Sequence, residues 1–142
     1  MNFELLQNIE LNLKTVLVRV DINVPFYDGK ISDTSRIKRI KPTIQKILNS
    51  GAKPVLIAHF GRPNGKYEAK LSLRNTLEAL QKELGVKVNF CDQTVGEKPK
   101  NAIKKLEKNT VLLLENVRFL NGEEKNWPSL GAKMSELADI YC

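Results

Sequence analysis

Three apolar runs in this sequence break off abruptly into polar residues. Residues 18–25 read VRVDINVP and place Asp21 and Asn23 at the end of the run. Residues 57–65 read IAHFGRPNG and place His59 and Arg62 there; 112–119 read LLLENVRF and place Glu115, Asn116 and Arg118 there. A fourth segment, 31–38 (ISDTSRIK), puts Arg36 near the start of a helical pattern. Three arginines and a histidine on one rim make a strong anion site, because a guanidinium is a rigid fork of donors that fits phosphate and carboxylate oxygens. A helix amino terminus beside Arg36 adds free N–H groups and the positive end of a dipole. Asp21 and Asn23 supply acceptors for a ligand hydroxyl and keep the arginines apart. A small molecule bearing phosphate, carboxylate and hydroxyl fits this inventory.

Taken singly, each residue has a plainer reading. Asp21 and Asn23, close to Pro25, are suited to shaping a turn by bonding their own backbone. His59 can be a satisfied histidine at a strand end, and Arg62 a solvated loop charge. Arg118 can pair with Glu115 across a turn, which is worth little at a surface. Arg36 can be an ordinary first-turn residue, although a cation there opposes the helix dipole.

A shared site requires that the elements carrying these residues bring them together. Residues 15–20 (TVLVRV), 54–58 (PVLIA), 86–90 and 110–114 (TVLLL) read as strands, and 139–142 (DIYC) opens one more. Between them, Ile37, Ile40, Ile44, Ile47 and Leu48 fall on one helical face, with Asp33 or Thr34 as cap, Gly51 as stop and Pro42 interrupting. Residues 72–84 give a second helix, with Leu73, Leu77, Leu80 and Leu84 as its stripe, Ser72 as cap and Gly85 as stop. Pro99 opens a third, burying Ile103 and Leu106; Leu130, Met134, Leu137 and Ala138 mark a fourth, which Gly131 weakens. Strands alternating with helices, several of them apolar throughout, predict an α/β fold: a Rossmann-like parallel sheet with helices on both faces. The sheet is expected to be incomplete at its C-terminal end. In such sheets ligands bind outside the carboxyl ends of the strands, where the polar residues collect.

Composition narrows the partners. The 142 residues carry 23 Lys+Arg against 16 Asp+Glu, a net charge of +7. Such a balance suits an anionic partner without choosing among nucleic acid, membrane surface and small phosphorylated ligands. The densest run, Lys98, Lys100, Lys104, Lys105 and Lys108, is spaced as a solvated helix face and lacks the interleaved aromatics that stack on bases. Cys91 and Cys142 make neither a zinc framework nor a disulfide scaffold. No apolar stretch approaches the roughly 18 residues of a spanning helix, and no secretory leader is visible. A cytoplasmic location is expected. Neither a GxxxxGK[ST] loop nor a GxGxxG fingerprint occurs, so no nucleotide-phosphate loop is readable.

The four segments together resemble phosphoglycerate kinase. VRVDINVP is similar to that family's first signature, which usually has Phe where Ile22 stands. ISDTSRIK, GAKPVLIAHFGRPNG and LLLENVRF match further family segments in order and spacing, and LADIYC is similar to the stretch before the family's NDAFGTAHR. The resemblance implies a glycolytic enzyme of two domains, one for 3-phosphoglycerate or 1,3-bisphosphoglycerate and one for Mg-ATP or Mg-ADP. By motif match, Asp21 and Asn23 contact the hydroxyl side of the glycerate. His59, Arg62 and Arg118 hold the distal phosphate, and Arg36, the one catalytic residue, lies nearest the transferring group. Residues 1–142 are then a partial amino-terminal domain, with the nucleotide-binding domain absent and no kinase activity alone. No cofactor or metal is expected on these residues, no nucleic-acid or membrane partner, and a monomeric parent. The alternative is a standalone phospho-ligand or basic nucleic-acid binding module.

Overall fold

A strand that is apolar on both sides must be covered on both sides. The computed structural model describes residues 12–22, 24, 26–27, 30–61, 65–120 and 127–142. Along the chain, β1 (Thr15–Arg19) leads into a small antiparallel ribbon, β2 (Phe26–Tyr27) and β3 (Lys30–Ile31), and then α1 (Ser35–Asn49). Next come β4 (Lys53–Ile57), two 3-10 turns (Ala69–Leu71 and Leu73–Thr76), α2 (Leu77–Leu84) and β5 (Lys87–Cys91). The chain continues through α3 (Glu97–Lys104), β6 (Thr110–Leu114), a 3-10 turn (Val117–Phe119), α4 (Trp127–Ser135) and β7 (Ile140–Tyr141).

Among the described residues, five strands form a parallel sheet in the order β5-β6-β4-β1-β7. Alternate side chains go to opposite faces. Val16, Val18, Leu56, Val111 and Leu113 pack with Ile37, Ile44 and Ile47 of α1 and Leu80 and Leu84 of α2. Leu17, Val55, Ile57, Leu112 and Leu114 pack with Ile103 of α3 and Met134 of α4. The expected α/β architecture, helices on both faces, is thus present, and β6 is buried at all five positions.

The order of the strands decides where a ligand can bind. From β1 to β4 to β5 the chain moves one way along the sheet, over α1 and α2. It returns through α3 to β6 and α4 to β7, on the other face. Right-handed crossovers that reverse direction must change face. Neighbouring β4 and β6 therefore send their chains to opposite sides, the switch point at which sheets of this kind form a binding crevice outside the carboxyl ends of their strands.

Local chemistry sets the element ends. Asp33 Oδ1 accepts from the Ser35 N–H and hydroxyl, 2.9 and 2.5 Å, so Asp33 supports the start of α1 and the Thr34 side chain makes no cap bond. The helix runs unbroken through Pro42; that residue lies on the exposed side, where water can serve the Lys38 carbonyl it leaves unbonded. Gly51 and Gly85 adopt φ of +77° and +70°, the left-handed stops expected of them. The predicted helix over 72–84 divides: its first turn is a 3-10 turn whose cap Ser72 accepts from the Arg74 N–H at 3.2 Å. The strand expected over 86–90 sits one residue later. The fourth helix ends at Ser135, before Leu137, which is still buried. The ribbon β2–β3 was not expected.

Replacing Leu113, which is fully buried at the sheet centre, removes contacts on the α1–α2 side. Leu113→Ala should cost about 3 kcal/mol in urea unfolding, while exposed Lys104→Ala should stay within about 0.5 kcal/mol.

Candidate functional site

The crevice is built on two adjacent residues at the end of β6. Asn116 is wholly buried, and its amide uses every bonding position it has. Oδ1 accepts from the Phe60 N–H at 3.2 Å and the Arg118 N–H at 3.0 Å. Nδ2 donates to the Phe60 carbonyl at 2.7 Å and the Leu71 carbonyl at 3.0 Å. Only one orientation of the amide satisfies two N–H donors and two carbonyls.

Glu115 is buried as well, and its carboxylate is stabilised by hydrogen bonds. It accepts from the Ser72 hydroxyl at 2.6 Å, the Leu73 N–H at 2.9 Å and the Asn116 N–H at 2.8 Å. A carboxylate at the start of a helical segment meets unpaired N–H groups there. Glu115 is therefore committed to the turn that leads into α2. Arg118 instead donates from Nη1 to the Gly61 carbonyl at 3.1 Å, so the alternative of an Arg118–Glu115 pair gives way to this arrangement. Backbone bonds close the same region: Val117 N–H to the Ala58 carbonyl at 3.1 Å, and Gly65 N–H to the Arg118 carbonyl at 3.0 Å. Gly61 has φ of +62°, a conformation that favours glycine, and a Cβ there would lie 2.6 Å from a Leu71 methyl.

On the other side of β4, Asp21 follows β1 and meets Arg36 from the first turn of α1, with Oδ1 and Nη1 3.1 Å apart. Both side chains are about half exposed or more. Asp21 thus holds an arginine directly rather than only spacing arginines apart. Half-buried His59 stands just beyond β4. Asp21, Arg36, His59 and Arg118 therefore share the carboxyl edge of the sheet. Asn23 and Arg62 lie outside the described residues. Among the described residues, no three His, Cys, Asp or Glu side chains cluster as a metal site would. In the sequence Glu115 and Asn116 read as strand-end polar residues, with no positioning role evident. Their place directly after a fully apolar strand was the available signal.

An open, doubly wound α/β domain with basic side chains at the switch between β4 and β6 is the class that this fold and edge define. The sequence model for phosphoglycerate kinase matches residues 6–142, and the chain belongs to that family. A phosphoglycerate kinase from Cereibacter sphaeroides is 51% identical over 142 residues, covering 99% of this chain and 36% of the relative. One from Wolbachia sp. subsp. Drosophila simulans is 44% identical over 141 residues. Among solved structures, phosphoglycerate kinase from Pyrococcus horikoshii OT3 superposes with a TM-score of 0.83 at 33% identity, covering 96% of this chain and 35% of that one. The Coxiella burnetii enzyme gives 0.79 at 36% identity. The chain spans about a third of the length of these relatives.

Bonds from the Ser35 hydroxyl and N–H hold the Asp33 carboxyl below the usual carboxylate range. Its support of α1 is therefore present at neutral pH and is lost only as pH falls through the lowered value. A carbon-13 carboxyl titration should show that depressed midpoint, and Ser35→Ala should move it back up.

Proposed function

We propose that this chain is part of the acid-substrate domain of a phosphoglycerate kinase and carries most of its acid site. The observation that carries the reading is the placement of Arg36 and Arg118 on one edge of the sheet, beside a switch-point crevice, in a chain of this family. In this reading His59, Arg62 and Arg118 hold the distal phosphate of 3-phosphoglycerate. Asp21 and Asn23 take the hydroxyl side. The arginine forks bind oxygens in pairs and fix the acid's direction.

The reaction follows from that orientation. A carboxylate oxygen of 3-phosphoglycerate attacks the γ-phosphorus of ATP and forms a new O–P bond. The bond from that phosphorus to the bridging oxygen breaks, and its electron pair leaves with ADP. Negative charge spreads over the transferring phosphoryl group, and Arg36, at the amino end of α1, stabilises it. The reverse step makes ATP from 1,3-bisphosphoglycerate. Mg-ATP or Mg-ADP is held by the part of the full-length protein beyond these residues. The full-length protein is a monomeric, cytoplasmic enzyme of glycolysis with no nucleic-acid or membrane partner. Among the described residues no helix is long and apolar enough to cross a membrane.

Calorimetric titration with 3-phosphoglycerate tests the site. Saturable binding is expected, weakened about tenfold or more by Arg62→Ala and by Arg118→Ala, since each removes a charged hydrogen-bond donor. Absence of binding, together with DNA binding whose affinity falls steeply with salt, would overturn the reading. Phosphoryl transfer by the 142 residues alone would overturn the division between acid and nucleotide parts.

A further inference from the structure

We propose that Asn116 is the positioning residue of the crevice, the group through which the loops carrying His59 and Arg118 are held in one geometry; as a statement about substrate, it rests on the acid-site reading above. Asn116 touches both walls. With Phe60 it exchanges two bonds, to the N–H and the carbonyl of the same residue, at 3.2 and 2.7 Å. Two bonds to one residue fix the planes of the peptide units on either side of it. His59 precedes those units, and Gly61 follows them. The Gly61 carbonyl is in turn the acceptor for Arg118 Nη1.

The second wall is fixed by the same oxygen. Asn116 Oδ1 accepts the Arg118 N–H and so caps the 3-10 turn on which Arg118 is carried. The remaining donor reaches the Leu71 carbonyl and ties in the segment that leads to α2. One side chain thus sets the direction of backbone on both sides of the β4–β6 crevice. Burial makes the demand strict, because a buried amide left without a partner bears its full desolvation cost.

The amide cannot be exchanged for a group of equal size. An aspartate at this place keeps the acceptors but loses both donors, so the Phe60 and Leu71 carbonyls would face oxygen. Asn116→Asp therefore breaks the bonds to the Phe60 and Leu71 carbonyls while sparing those from the Phe60 and Arg118 N–H groups. Asn116→Ala removes both.

Two measurements test the proposal, with Leu113→Ala as a control that loses stability without touching the crevice. The first is amide hydrogen exchange under conditions where every variant is folded. The Val117 and Gly65 amides bond to neither atom of the Asn116 side chain, yet depend on the two walls it joins. Their exchange should quicken about tenfold or more, relative to core β6 amides, in both Asn116 variants and not in Leu113→Ala. The second is affinity for 3-phosphoglycerate, expected to fall about tenfold or more in the Asn116 variants and to hold in Leu113→Ala. Unchanged exchange at Val117 and Gly65 would overturn the positioning role, whatever the ligand does. Unchanged affinity in Asn116→Asp, against a wild type that binds, would overturn it too. A wild type that fails to bind 3-phosphoglycerate would sink the acid-site reading, and the exchange result would still decide the role of Asn116.

Discussion

An amide side chain has two donors and two acceptors, and in a dry interior each needs a partner. That constraint organises the carboxyl edge of this sheet. Asn116 satisfies it by taking the Phe60 and Arg118 N–H groups and the Phe60 and Leu71 carbonyls. Its neighbour Glu115 meets the harsher demand of a buried carboxylate with Ser72, Leu73 and the Asn116 N–H. Between them, two adjacent residues fix three segments that are otherwise loop. The apolar strands set where the edge lies, and this polar pair sets the course of the chain once it leaves the strands.

The two flanks of the edge are held differently. Arg118 sits on backbone tied to a buried network. Arg36 is held by Asp21 in a pair that is largely exposed, and such pairs contribute little stability. Breaking that pair costs little, whereas moving the β4 and β6 loops breaks buried bonds. The two arginines are thus held with unequal firmness.

Much of the architecture could be read from the chain. TVLLL predicted a strand covered on both faces, and all five of its residues are buried. Gly51 and Gly85 marked helix ends through their need for positive φ. The ribbon of Phe26–Tyr27 and Lys30–Ile31 escaped because two-residue strands are too short to show alternation. The edge itself was legible as a collection of strand-end polar residues. What each one bonds was not. Asp21 and Arg36 are 15 positions apart, and their meeting depends on how α1 docks on the sheet. Asn116 looked like a residue leaving the core, because hydrophobic patterning counts polar side chains as outside. Its complete burial is a tertiary fact.

The strand order also has a consequence for time. Phe60 and Asn116 lie 56 residues apart, and the segment between them includes α2, β5 and α3. Bringing together such distant positions costs loop entropy before any bond repays it, and contacts of this kind form slowly compared with a helical turn. A nascent chain can form α1 as soon as its residues are available. It cannot assemble the crevice until β6 has been made and has found its place beside β4. The arrangement of side chains at the β4–β6 edge is thus acquired late, and it reports that a long stretch of the polypeptide has reached its native pairing.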